Sequence, residues 1–177
     1  MDFELTEEQQ MIRETVRDFA EREIRPVAKE LDEKGEFSLK KKKKMGELGL
    51  FGMTLPEKYG GQDLDTISYI IAVEELARVD GSQAATLAAH NSLGTGPLYY
   101  YGTEAQKEKY LPPLTTGDAL WGFGLTEPDA GSDSRGTKTK SKLENGKWII
   151  NGSKIFITNG SSDISIGSTV QTVSGEV

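Results

Sequence analysis

The chain has 177 residues, 36% of them hydrophobic and 28% charged, enough for one domain or two small ones with a substantial core. Its net charge of −7 excludes a surface built for nucleic acid or anionic membrane, and its lack of cysteine excludes disulfides, zinc–thiolate centres and thiol nucleophiles. The N-terminal stretch MDFELTEEQQ is acidic and has no apolar signal core, and runs such as YIIAV are too short to span a bilayer, so a soluble cytoplasmic protein is expected.

Thr6 followed by Gln9 is a capping-box signature and starts the first helix. Ile12, Val16 and Phe19, then Ile24, Val27 and Leu31, continue one apolar stripe, which Pro26 should kink or divide. Ser38 caps a second helix, LKKKKKMGEL, which Gly49 ends. The lysines from Lys40 to Lys44 point all round that helix, so they read as solvated positions rather than one polyanion patch. Asp65 caps TISYIIAVEELARV, apolar around most of its circumference and so expected at the centre of the bundle. The next helix, SQAATLAAHNSL, is rich in small residues and carries His90, the only histidine. A single imidazole excludes multi-histidine metal sites, and none is expected; His90 reads as a partly buried residue bonded to nearby backbone. Thr103 and Gln106 make another capping box opening EAQKEKYL, which Pro112-Pro113 should close.

After about residue 115 the period changes. TKTKSKL alternates strictly, and Asn145-Gly146, Asn151-Gly152 and Asn159-Gly160 are tight hairpin signals. DISIGSTVQTVSGEV continues in short alternating pieces. The fold class expected is α+β: an N-terminal helical bundle over 1–117, then a partial antiparallel β-domain over 118–177. So short a sheet needs cover from the helices, from a partner or from further chain.

Within WGFGLTEPDAGSD, Gly124 and Gly131 let backbone approach a ligand, and Thr126 and Ser132 supply hydroxyls that donate and accept. Glu127, Asp129 and Asp133 disfavour a phosphate cradle; a neutral heterocycle beside aromatic residues fits better. The same residues also suit a plain loop whose Glu-Pro and Ala-Gly pairs set turns.

LTEPDAGSD followed by INGSKIFITNG resembles the paired signatures of the acyl-CoA dehydrogenase family of flavoproteins. LTEEQQMIRETVRDFAEREIRPVAKELD, LGLFGMTLPEKYGG, YIIAVEELARVDGS and YGTEAQKEKYLPPLTTGD resemble the same family in the same order, so the likeness runs nearly to Gly160. The resemblance implies a helical domain, a middle β-domain and a C-terminal helical domain, arranged as a homotetramer with FAD where they meet. It implies cofactor contacts from Phe123, Leu125, Thr126, Gly131, Ser132, Phe156, Ile157 and Thr158, with Ser132 also touching an acyl-CoA substrate. Many relatives have Trp where this chain has Phe156.

The implied reaction is α,β-dehydrogenation of an acyl-CoA thioester, with electron-transfer flavoprotein as acceptor and, where a transit peptide has been removed, a mitochondrial matrix location. The family's base is a glutamate of the C-terminal helical domain, so no catalytic residue is expected within these 177 residues, and the chain by itself is expected to be truncated and inactive. A non-catalytic flavin- or CoA-binding fragment and a flavin oxidase on the same fold are the rival readings. Tyr99, Tyr100 and Tyr101 either shorten an acyl pocket or serve as core or interface.

Overall fold

The computed structural model describes residues 3–160 and 162–174. Helices occupy the chain as far as Thr115, and strands begin at Leu120. The end of the SGEV tail and Ser161 lie outside the described residues.

Helix α1 (Glu7–Phe19) opens on the expected box: Gln9 N–H donates to Thr6 Oγ1, and Thr6 N–H donates to Gln9 Oε1. The Gln9 amide also donates to Asp65, which caps α4 (Thr66–Ala77), so the starts of two helices are tied together. Pro26 does divide the stripe. Because it lacks an N–H, the helix widens into a π turn over Ala20–Ile24, and α2 (Arg25–Lys34) restarts with proline in its first turn. Gly35, at φ 63°, ends α2. The core joins Val16, Phe19, Ile24, Phe51, Met53, Leu76 and Leu87 with Leu120, the first strand residue, so helices and sheet share one apolar cluster.

Three helical expectations need correction. In α3 (Leu39–Glu47) the lysines are not all solvated: Lys42 is 1% exposed, while Lys41 and Lys44 pair with Glu23 at 2.9 and 2.6 Å. The face of α3 that buries Met45 also carries position 42, and packing overrides the preference of an amine for water. Helix α4 lies between α1 and α5 (Gly81–Ala88) but leaves Ile67 and Ile70 about half exposed, so it is flanked rather than enclosed. Pro112 and Pro113 do not close α7 (Glu104–Thr115); they lie inside its last turns. Leu111 and Leu114 are fully buried there, and the Thr115 hydroxyl donates to the carbonyls of Tyr59 and Pro112, so tertiary contacts carry the helix past the lost donors.

His90 bonds to backbone groups as expected but is buried completely rather than partly. It is fully buried in a second π turn, Ala89–Gly94, before α6 (Thr95–Tyr101). Its Nε2 donates to Leu114 O at 3.0 Å and its Nδ1 accepts from Trp121 N–H at 3.4 Å, which joins the first strand to the helices. Burial lowers its pKa to about 4, so the ring is neutral near neutral pH.

The α+β class holds, but the sheet pairing is mixed. Strands β2 (Lys140–Glu144) and β3 (Lys147–Asn151) form an antiparallel hairpin across Asn145-Gly146, both in positive φ. By contrast β1 (Leu120–Gly124) runs parallel to β4 (Ser165–Val170), and β2 parallel to the short β5 (Val173–Ser174). Of the three Asn-Gly pairs, one turns a hairpin. Asn151 ends β3, and Asn159 sits in an isolated turn at φ 68°.

Candidate functional site

Strand β1 leads into the TEPDAGSD loop, and β3 leads into the arm 152–160. Along β1, Gly122 and Gly124 face the arm: a methyl at Gly122 would lie 3.1 Å from Ile157 Cγ2, and one at Gly124 would lie 3.4 Å from Lys154 Cγ. Side-chain alternation places Trp121 and Phe123 on the opposite face of β1, where Trp121 packs at a tilt against Tyr110. Ile155 N–H donates to Thr126 O at 2.9 Å. The structure therefore brings Leu125 and Thr126 beside Lys154 and Ile155, at the start of the arm that carries Phe156, Ile157 and Thr158, while Phe123 points away from the arm. Ile157 is half-buried against β1, and Phe156 and Thr158 on either side of it are exposed. Gly131 and Ser132 are exposed too, and a methyl at Gly131 would meet nothing within 4 Å.

Phe156 is 88% exposed and sits at φ 58°, in the left-handed region that non-glycine residues rarely adopt. An exposed aromatic held in a costly backbone conformation is a mark of a binding surface. Among the described residues, the hydroxyl and N–H of Thr126 and the hydroxyl of Thr158, close to Phe156 in the arm and its bonded loop, make no hydrogen bond within the chain, and neither does the Ser132 hydroxyl further along the loop. An aromatic ring, open glycine backbone and unspent neutral donors and acceptors suit a flat, uncharged heterocycle. In this chain they form an open face rather than a closed cleft.

The arm and loop are joined by a clasp that the sequence reading overlooked. Lys154 Nζ lies 2.8 Å from Glu127 Oε1 and donates to Leu125 O at 2.9 Å, with the two side chains 11% and 5% exposed. Glu127 also accepts from Lys138 N–H at 2.6 Å, Thr139 N–H at 2.9 Å and the Thr139 hydroxyl at 2.5 Å. The far end of the arm is fixed by Asn159, whose amide donates to Thr86 O in α5 at 3.5 Å. A lysine directly before the apolar run Ile155-Phe156-Ile157 was the signal available for this partner.

The Lys154 bond, then the Thr139 hydroxyl and the Lys138 N–H, lower the Glu127 pKa from 4.5 to about 2. A carboxylate so depressed supports folding above its unfolded pKa and loses that support as pH falls from about 4.5 through about 2. Thermal melts across that window are expected to show a decline that Glu127→Gln makes shallower, Glu23 and other paired carboxylates supplying the rest; an equal decline in the variant would contradict the assignment.

The tyrosine run is not buried as a block. Tyr99 packs edge-on to Tyr59 at 6.3 Å, while Tyr100 and Tyr101 are 73% and 86% exposed. Among the described residues no group of three or more acidic or histidine side chains could hold a metal, and no helix is long and apolar enough to cross a membrane.

The family model described as the acyl-CoA dehydrogenase N-terminal domain matches residues 6–118, and that for the middle domain matches residues 122–176. A probable acyl-CoA dehydrogenase of Bacillus subtilis is 56% identical over 161 residues, which are 91% of this chain and 42% of that protein. The butyryl-CoA dehydrogenase structure from Megasphaera elsdenii is 46% identical with a TM-score of 0.87, covering 94% of this chain and 45% of that one. An acyl-CoA dehydrogenase from Bacillus anthracis, solved in complex with FAD, is 39% identical with a TM-score of 0.89, covering 97% of this chain and 29% of that one. The chain spans less than half the length of each of these proteins.

Proposed function

The chain belongs to the acyl-CoA dehydrogenase family, and on that premise we propose that its exposed loop and arm form part of the FAD-binding face of an enzyme that desaturates an acyl-CoA thioester between its α and β carbons. The observation that carries the reading is Phe156, held left-handed and 88% exposed beside unpaired hydroxyls. Thr126 and Thr158 would hold the cofactor by hydrogen bonds, Phe156 and Ile157 by ring and methyl contact, and Gly131 by admitting it close to the backbone. Leu125, just past the first strand, adds apolar contact, Phe123 would meet the cofactor only from the other face of that strand, and Ser132 reaches both cofactor and acyl-CoA. FAD, when bound, supplies the hydride acceptor.

Glu127 is not the base in this reading, because its carboxylate is already committed to Lys154, Thr139 and the Lys138 N–H. A short-chain thioester is the proposed substrate, in keeping with the butyryl-CoA enzyme among the relatives. Electron-transfer flavoprotein as acceptor, a homotetramer and a cytoplasmic setting belong to the same proposal. A helical domain over 1–117 and a β-domain from 118 are proposed with it, supported by the first strand beginning at Leu120 and by the two family matches meeting between residues 118 and 122. Assayed by themselves, these 177 residues are expected to show little or no turnover.

The test is uptake of FAD followed by flavin absorbance. The purified chain is expected to turn yellow, and Phe156→Gly to weaken FAD binding by about tenfold. That substitution relieves left-handed strain and adds unfolded-chain entropy, so stability should stay within about 1 kcal/mol of the parent. A parent chain that takes up no FAD, or a Phe156→Gly variant that binds as the parent does, would overturn the reading.

A further inference from the structure

We propose that Lys154, acting with Glu127, is a positioning residue that sets the proposed flavin face by locking the loop and the arm in one register. The inference rests on the flavin reading for its consequence but on the clasp geometry for its cause. Lys154 reaches both the Leu125 carbonyl and the Glu127 carboxylate, and the next residue, Ile155, donates its N–H to the Thr126 carbonyl. Three consecutive loop residues are thus held by two consecutive arm residues.

In a trans peptide the C=O and N–H lie in one plane and point in opposite directions across the C–N bond. Gripping the Leu125 carbonyl therefore turns the N–H of Thr126 away from Lys154, and that N–H is unbonded within the described chain. The clasp in this way presents an amide donor on the open face. Glu127 completes it from behind, since its carbonyl accepts from Ala130 N–H at 3.2 Å to close the Pro128-Asp129 turn, its N–H donates to Ala130 O at 3.0 Å, and its carboxylate collects the N–H groups of Lys138 and Thr139. A buried ion pair is a poor source of net stability against an apolar replacement, and its better-attested use is to specify one register. Here the register specified is that of the two segments carrying Thr126, Phe156 and Thr158.

The experiment compares the parent chain with Lys154→Met, which keeps length and loses charge, and with Lys154→Arg, which keeps charge. Hydrogen exchange at the Ile155 amide reads the clasp without any cofactor; FAD affinity and the flavin absorption spectrum read its consequence. Lys154→Met is expected to speed exchange at Ile155 about tenfold while amides of α1 exchange as in the parent. It should also weaken FAD binding about tenfold and alter the bound spectrum, with Lys154→Arg restoring most of both. Unchanged exchange at Ile155, or unchanged FAD affinity and spectrum, in Lys154→Met overturns the proposal. If the parent takes up no FAD, the flavin reading falls and Ile155 exchange alone judges the clasp. Should Lys154→Met fail to fold, Glu127→Gln, of the same shape without the charge, provides the same readings.

Discussion

Lys42→Met is expected to stabilise the protein. The ammonium of Lys42 is 1% exposed; it donates to the Gln83 side-chain oxygen and lies 4.8 Å from the centre of the Phe37 ring, with no carboxylate in ion-pair range among the described residues. Burial, opposed only by the more distant charge of Asp80, lowers its pKa from 10.5 to about 7. At ~1.4 kcal/mol per unit that corresponds to roughly 5 kcal/mol of penalty on the charged form. Methionine fills similar volume without charge but leaves the Gln83 oxygen without its donor, so a net gain of about 2 kcal/mol at pH 6 is the expected result.

The pH dependence has a definite sign. Between about 7 and 10.5 the unfolded chain binds a proton on Lys42 that the folded chain does not, so parent stability rises with pH across that window. Below it both states are protonated and the penalty is complete. The advantage of Lys42→Met should therefore be greatest at pH 6 and shrink by pH 9. Urea melts at the two values check this, and a variant no more stable than the parent at pH 6 would refute it.

Gly152→Ala is expected to damage the site from behind. A methyl at Gly152 would come 2.2 Å from Thr139 Oγ1 and 2.6 Å from its Cβ, distances that force Thr139 to move. Thr139 is 2% exposed, and both its hydroxyl and its N–H are bonded to Glu127. We expect a loss of roughly 2–3 kcal/mol in stability and about tenfold or more in FAD affinity. Gly131→Ala is the matched control, because its methyl enters open space and should leave the melting temperature unchanged. Equal melting temperatures for the two variants would show that the crossing at Gly152 tolerates bulk.

The same glycine marks a limit of local reading. Asn151-Gly152 has the dipeptide of a hairpin turn, yet the structure uses Gly152 to let the arm pass Thr139, a neighbour thirteen positions earlier in the chain. Asn145-Gly146 does turn a hairpin because Leu143 pairs with Trp148 and Ser141 with Ile150, so strands of matching length flank it. Glu127 was legible as a residue of the loop but not as the buried partner of Lys154, since nothing local brings the two together. Pro112-Pro113 reads as a helix stop, and only the burial of Leu111 and Leu114 explains why the helix runs on.

Sequence alone decided the features that depend on near neighbours. The caps at Thr6, Ser38, Asp65 and Thr103, the break near Pro26 and the change from helical to strand period all arise from hydrogen bonds or dihedral limits within a few residues. The paired motifs also carried family membership, because chemistry-bearing residues in fixed order survive as text. The parallel pairing of β1 with β4, the burial of Lys42 and the Glu127–Lys154 clasp were decided only in three dimensions. Each is a contact between segments far apart in the chain, and its energy depends on burial and distance that no local pattern encodes.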